Sequence, residues 1–372
     1  MRVLHVVATR QRRGAELFAS SLVGALGSDE VDQRVVVLRS NGGEGVSFAA
    51  PVTTFDGQVR SVPGIRVDLA RVNGLHRVVR AFRPDVVQAH GGESLKYALA
   101  ALRGDGRRIA YRRIGDAVRF EGGRVRERAH VALMRRASRV IAVADILRDE
   151  LVRRHHIDPS RVVTIPNGVD LESIVPSRSR PEIRSELGIP ADARVILSLG
   201  ALTWEKDPVG HLAVVAQAAG DRPHVVHLIA GDGPLRDRVE AEVRRLRLQE
   251  RARLLGPRDD VADLLAASDV VLLASRTEGM PASLIEAGLA GLPVAAFAIS
   301  GVPEVVVHGE TGVLAPPGDV DALARALAGL LDDDDRRRAM GRAAAERCRE
   351  RFDIRVVAPK YLGVYEEIAR AA

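Results

Sequence analysis

Glu278 and Glu286 bracket the segment EGMPASLIE within the stretch SRTEGMPASLIEAGLAGLPV (275–294). A polar turn at Glu278-Gly279 and Pro281 lead into a helix predicted over 282–290, which Gly291-Leu292-Pro293 stops. Proline near the first helical turn suits its fixed φ and its missing donor. The backbone N–H groups around Met280, Pro281, Ala282, Ser283 and Leu284 (proline itself lacking one) then form a ready site for a phosphate. Carboxylates beside a phosphate are electrostatically poor unless they bind something else. Sugar hydroxyls fit, because an ionised carboxylate accepts hydrogen bonds strongly. A surface helix with two solvated acids would carry the same residues without a ligand.

Segment 200–207, GALTWEKD, adds a cation. Only Lys96, Lys206 and Lys360 among the 55 basic residues are lysines, so Lys206 is a departure from background usage. A flexible ammonium reaching a diphosphate is a chemical reason for it, with a solvated loop lysine as the alternative. Other signatures fail. No Cys/His spacing suits zinc, and GxSxG is absent. His155-His156 reads as a helix end. Asp319-Val320-Asp321 has the DxD form, but it opens the helical run DALARALAGLL and reads as an N-cap. Gly231-Asp232-Gly233 follows a strand, yet Arg236 stands where the third glycine of a dinucleotide fingerprint belongs.

These residues need a frame to hold them. The chain has 372 residues, a formal charge of +6 and 46% hydrophobic residues. That suits two domains with buried cores and excludes a disordered chain. Aromatics at 3% argue against a stacking platform for nucleic acid. One cysteine, Cys348, permits no internal disulfide. The apolar runs fall short of a bilayer span, so a cytoplasmic protein is expected. Residues 119–139 are dense in arginine and include Phe120, Val125, Val131, Leu133 and Met134. They read as an amphipathic surface helix, with contact to an anionic membrane or an acidic acceptor as the alternative.

Short β-rich runs alternate with helical stretches, the pattern of parallel sheets in α/β domains. Strands are expected at 3–7, 34–38, 86–89, 109–111, 139–143 and 162–165. A second set is expected at 195–199, 225–230, 252–255, 270–274, 293–296 and 313–314. Segment 165–193, with four prolines, an Asn-Gly turn and a Ser/Arg cluster, marks a boundary between them. The expected architecture is two Rossmann-like doubly wound domains with a ligand cleft between the carboxyl ends of their sheets.

Together the motifs resemble glycosyltransferase family 4, the retaining, nucleotide-sugar-dependent enzymes with the GT-B fold. Gly14-Ala15-Glu16 looks like the family's glycine loop. DVVQAH (85–90) is similar to its HxH segment, with Gln88 in the first His position. IPNGVD (165–170) matches the interdomain motif, 200–206 the G-R-L-x-x-x-K loop, 278–286 the E-x7-E motif, and GETGVLAPPGD (309–319) a further hallmark.

The resemblance implies domains at 1–170 on the acceptor side and 171–353 on the nucleotide-sugar side, with a terminal helix at 354–372 crossing back onto the first. It implies that Gly14 approaches the donor phosphate and that Lys206 neutralises the diphosphate. Glu278 would hold the transferred sugar, Gly279 through Leu284 the phosphate and sugar, Glu286 the ribose, and Arg258 would lie near the base. His90 and Arg113 are candidate catalytic residues on the acceptor side, with a core histidine as the alternative for His90. Arg112 and Asp116 are further acceptor candidates. The implied donor is a UDP- or GDP-linked sugar, used without metal or other cofactor. The acceptor would be a glycan, a lipid-linked or a small molecule. Beside Gln88, two departures matter: Ala201 stands where an arginine is usual, and Arg113 where many relatives carry histidine. A sugar-nucleotide epimerase, or a donor-binding protein without transferase activity, are the rival readings.

Overall fold

Valine, isoleucine, leucine and alanine buried on both faces make the strands, as parallel sheets covered by helices require. The computed structural model describes residues 1–27, 31–40, 45–55, 67–115, 123–220, 222 and 224–371. It contains two units, Met1–Gly168 with Ile354–Ala372, and Val169–Asp353.

The first unit runs β1 (Arg2–Val7), α1 (Gly14–Leu26), β2 (Asp32–Val37), β3 (Val52–Thr54), α2 (Leu69–Phe82), β4 (Val86–His90), α3 (Gly92–Ala101), β5 (Ile109–Arg113), α4 (Gly123–Met134), β6 (Arg139–Ala142), α5 (Asp145–Asp149) and β7 (Val162–Thr164). Its strands pair in parallel in the order β3-β2-β1-β4-β5-β6-β7. The second unit runs α6 (Arg180–Glu186), β8 (Arg194–Leu199), α7 (Pro208–Ala219), β9 (Val225–Ala230), α8 (Arg236–Arg245), β10 (Ala252–Gly256), α9 (Val261–Ala267), β11 (Val270–Leu273), α10 (Ala282–Leu289), β12 (Val294–Phe297), α11 (Val302–Val305), β13 (Gly312–Ala315), α12 (Val320–Asp332) and α13 (Asp334–Phe352). Its parallel order is β10-β9-β8-β11-β12-β13. The last helix, α14 (Ile354–Ala371), returns to the first unit. There Ile354, Val357, Tyr361, Tyr365 and Ile368 join Val3, Phe18, Ile141 and Ile165 in one core.

Strand order reverses between β1 and β4 in the first unit and between β8 and β11 in the second. In doubly wound sheets, ligands bind outside the carboxyl ends at such a reversal. In the second unit the flanking loops are 200–207, after β8, and 274–281, after β11.

Two expectations change, and the amphipathic reading of α4 is met. Strand β3 is an additional edge strand, too short for its Val-Thr-Thr to register as a pattern. The Ser/Arg-rich boundary segment folds onto the second unit. Arg180 and Arg184 bond Asp269 at 2.7 and 2.9 Å, so arginines of the cluster read as a boundary hold α6 in place. In α4, Val131 and Met134 are buried and Val125 alone is a large exposed apolar residue, so the helix packs its apolar face inward. Residues 116–122, including Asp116 and Phe120, lie outside the described residues. Among the described residues no helix is long and apolar enough to cross a membrane.

Candidate functional site

The carboxyl end of β8 is shaped by two close glycine approaches. Gly231, at φ +144°, follows β9, and a Cβ there would sit 1.9 Å from the Gly200 carbonyl oxygen; a Cβ on Gly233 would sit 2.5 Å from that of Leu202. The Leu202 amide donates to the Asp232 carbonyl at 3.0 Å and the Leu235 amide to the Leu202 carbonyl at 3.0 Å. Gly-Asp-Gly therefore serves loop packing, which explains a dinucleotide fingerprint without its third glycine. The loop thus fixed presents Lys206.

Lys206 is the partner of Glu278. Its Nζ donates to both carboxylate oxygens, at 2.7 and 2.8 Å, and Glu278 is buried. The two residues given separate roles from sequence form one ion pair across the strand reversal. The loops that carry them are joined further. Arg276 N–H donates to the Glu205 carbonyl at 2.8 Å, the Arg276 guanidinium pairs with Asp207 at 2.9 Å and lies over Trp204 at 5.3 Å. Ala201 is exposed in the same loop.

Gly279 through Pro281 lead directly into α10, and all are buried. Its N-cap, Pro281, makes no side-chain capping bond, whereas Asp207 caps α7 and Asp319 caps α12, accepting from the Ala322 amide at 2.9 Å. The first turn of α10 at Ala282 and Ser283 therefore keeps amide donors for a ligand. One turn further on, Glu286 is partly buried, and its carboxyl makes no hydrogen bond or ion pair among the described residues. Desolvation pushes its pKa up to about 7. A carboxyl with unused acceptors beside uncapped amides is suited to hydroxyls and a phosphate together.

Arg258 follows β10, on the same carboxyl edge, but its charge is already matched. Asp260 accepts from its Nε and Nη2 at 2.7 and 2.5 Å. Arg178 bonds that same Asp260 and the buried Asp263, each at 2.8 Å. Arg258 belongs to a network that holds residues 177–178 on α9, and is not a loose cation.

In the first unit His90 closes β4, and its Nε2 lies 3.2 Å from His5 Nδ1; His5 Nε2 lies 3.1 Å from Gln33 Oε1. Burial lowers the pKa of His5 to about 4 and of His90 well below the usual histidine range. Both rings are neutral at pH 7, and His90 is packed as an interior histidine. Gln88 accepts the Tyr365 hydroxyl at 2.9 Å, so this position of the HxH segment anchors α14. Arg112 is wholly buried over the Phe18 ring at 3.7 Å and donates to Asn167 of the IPNGVD segment. Arg113 is buried near His130, whose pKa falls to about 4, mainly through burial and then through the Arg113 charge. Gly14 opens α1, and a Cβ there would meet nothing within 4 Å, so protein packing does not require glycine.

Asp207, His211 and Arg276 went unremarked in sequence. The signal for the first was Asp207-Pro208, an N-cap followed by proline at N1.

Residues 179–347 match the family of glycosyl transferases group 1, and residues 12–173 match glycosyltransferase family 4. A D-inositol 3-phosphate glycosyltransferase of Kineococcus radiotolerans is 36% identical over 57% of this chain and 53% of its own. The N-acetyl-alpha-D-glucosaminyl L-malate synthase of Bacillus anthracis is 30% identical over 56% and 54%. The chain spans about half the length of these curated relatives. Among solved structures, sucrose-phosphate synthase from Thermosynechococcus elongatus superposes with a TM-score of 0.84 at 20% identity over all of both chains. Anabaena HepE in complex with UDP and glucose gives 0.83 at 24% identity, covering 98% of this chain and 99% of that one. With one motif set in each unit matched to its own family region and the GT-B fold along the whole length, the chain belongs to glycosyltransferase family 4.

Proposed function

We propose that the chain transfers a sugar from a nucleoside diphosphate donor, UDP- or GDP-linked, to an acceptor hydroxyl with retention of anomeric configuration. The observation that carries this reading is the Lys206–Glu278 pair set beside the uncapped start of α10 and the unpartnered Glu286. An ammonium has three donors, and two directed at Glu278 leave one for a diphosphate oxygen. Glu278 then faces the transferred sugar, the α10 amides the phosphates, and Glu286 the ribose hydroxyls. The UDP and glucose in the HepE complex support a nucleotide-sugar donor. A relative named as acting on a diphosphoundecaprenol-linked sugar supports lipid-linked acceptors as one class.

In a same-face displacement the bond from C1 to the diphosphate oxygen breaks and its electron pair leaves with the diphosphate. The acceptor oxygen bonds C1 on the face just vacated, and its proton passes to the departing phosphate oxygen. Lys206 stabilises the growing charge, so its effect is larger in the transition state than in the ground state. Asp319 is engaged as a helix cap, so the DxD-like triplet is assigned no ion.

Thermal-shift screening against a panel of nucleotide sugars identifies the donor by mass action. Transfer is then followed by proton NMR, with the product expected to keep the donor's anomeric configuration and the rate to survive EDTA. An inverted product removes the same-face step; loss in EDTA with recovery in Mg²⁺ or Mn²⁺ removes the metal-free assignment. Glu278→Gln is expected to impair transfer more than nucleotide binding, and Glu286→Gln to weaken nucleotide binding directly. Equal effects on both would overturn that division.

A further inference from the structure

His211 lies in the first turn of α7, 6% exposed, beneath the loops that carry Lys206 and Glu278. Its two ring nitrogens face different loops. Nδ1 is 3.0 Å from the carbonyl oxygen of Asp207, the residue after Lys206. Nε2 is 3.0 Å from the backbone amide of Ala274, at the end of β11 and just ahead of the turn to Glu278. An amide can only donate and a carbonyl can only accept, so the tautomer follows: Nε2 carries the lone pair and Nδ1 the hydrogen. One imidazole therefore fixes both backbones. It also shares a small pocket lining with Lys206, Gly200 and Ser275.

We propose that His211 is a positioning residue that sets the Lys206–Glu278 geometry by tying the Asp207 carbonyl to the Ala274 amide. The inference rests on the donor-site reading of those two residues. Protonation would place a second N–H against the Ala274 N–H, so the bridge requires a neutral ring. Burial lowers the His211 pKa, and the charged or titratable groups that act on it are Asp207, Lys206 and Glu278, with His227 close by. The Arg276–Asp207 ion pair lies on the exposed side of the loops, whereas His211 bonds both backbones from the buried side. Misplacing a reacting group by about 1 Å can cost on the order of 10²-fold in rate.

The test uses the full chain with three substitutions. Phe at 211 keeps the ring volume and loses both bonds. Asn places its amide where Nδ1 was and can still donate to Asp207; Gln places its carbonyl where Nε2 was and can still accept from Ala274. UDP-glucose and GDP-mannose serve as donor probes, with UDP and GDP for binding. We expect His211→Phe to lower kcat about tenfold or more while the donor KM and the nucleotide Kd move less than about threefold, with partial recovery of kcat in His211→Asn and His211→Gln. A crystal structure of the Phe variant should show Lys206 Nζ more than about 4 Å from both Glu278 oxygens. Folded variants with an intact ion pair, or with a lower melting temperature and unchanged kcat, overturn the proposal. If His211→Phe does not fold, the Asn and Gln variants decide, since wild-type ion-pair geometry and kcat in both would also overturn it. Lys206→Ala run alongside separates the two claims: normal turnover there removes the donor-site reading itself, whereas loss there with full turnover in His211→Phe removes only the positioning role.

Discussion

Lys206 directs two of its donors at a buried carboxylate, and Ala201 supplies no second cation in the loop. Little else nearby can take over the leaving-group charge, since Arg258 is bound to Asp260 and Arg276 to Asp207. Lys206→Ala is expected to lower kcat by about 10²–10³-fold, the usual loss for one such electrostatic contact, with an unchanged circular dichroism spectrum. Lys206→Arg should recover only part, because a planar guanidinium does not reproduce a compact ammonium. A folded Lys206→Ala enzyme with near-normal kcat would move the leaving-group role elsewhere. Glu286 makes a second, independent prediction. Its carboxyl rises from 4.5 to about 7 in the folded, ligand-free chain, so between those values the native state holds a proton that the unfolded state has lost. Stability should therefore be highest below about pH 4.5 with respect to this group and fall as pH rises through 7, by up to about 3 kcal/mol. Urea titrations from pH 5 to 8 should show that slope, and Glu286→Gln should flatten it; an unchanged slope refutes the shift. The rarity of Lys206 was visible in the sequence, as were both glutamates. Its pairing with Glu278 was not, because it depends on β8 and β11 being neighbours.

Elements were more legible than their edges. Strands buried on both faces read as continuous apolar runs, so β8, β9 and β11 stood out, and the helix after Pro281 falls at Ala282–Leu289. The edge strand β3 and the arginine-anchored α6 were hidden, the first by its length and the second because its stabilising partner, Asp269, lies far along the chain. The Gly231 turn shows how one element fixes the next. Alanine there must adopt φ +144° and place its Cβ 1.9 Å from a backbone oxygen of the Lys206 loop. Both strain and displacement follow, so Gly231→Ala should destabilise the protein by at least about 2 kcal/mol. The surviving folded fraction should bind the donor nucleotide more weakly. Chemical denaturation with isothermal calorimetry checks both, and a variant as stable as wild type would mean the loop gives way at no cost.

At the scale of the whole chain, the last helix belongs to the unit that was built first. Ile354, Val357, Tyr361, Tyr365 and Ile368 are buried in the first unit's core, and Gly168 lies so near that a Cβ would come within 2.8 Å of Ile354. Glycine in IPNGVD is thus explained by the approach of α14, and Asn167 beside it by the buried Arg112. Each large apolar side chain buried contributes about 1.5–3 kcal/mol, and a domain's net stability is only about 5–15 kcal/mol. Removing α14 takes away several such side chains and uncovers Phe18 and Ile165. A stop after Asp353 should therefore unfold the first unit and spare Val169–Asp353, whose own core draws on β8, β11, β12 and α12 and uses nothing from α14. Limited proteolysis of the truncated chain should leave a resistant fragment that begins near Val169. Hydrogen exchange should show amides of β1, β4 and β5 losing protection while those of β8 and β11 keep it. Retained protection throughout β1, β4 and β5 would mean that the first unit's sheet stands without the helix that covers it.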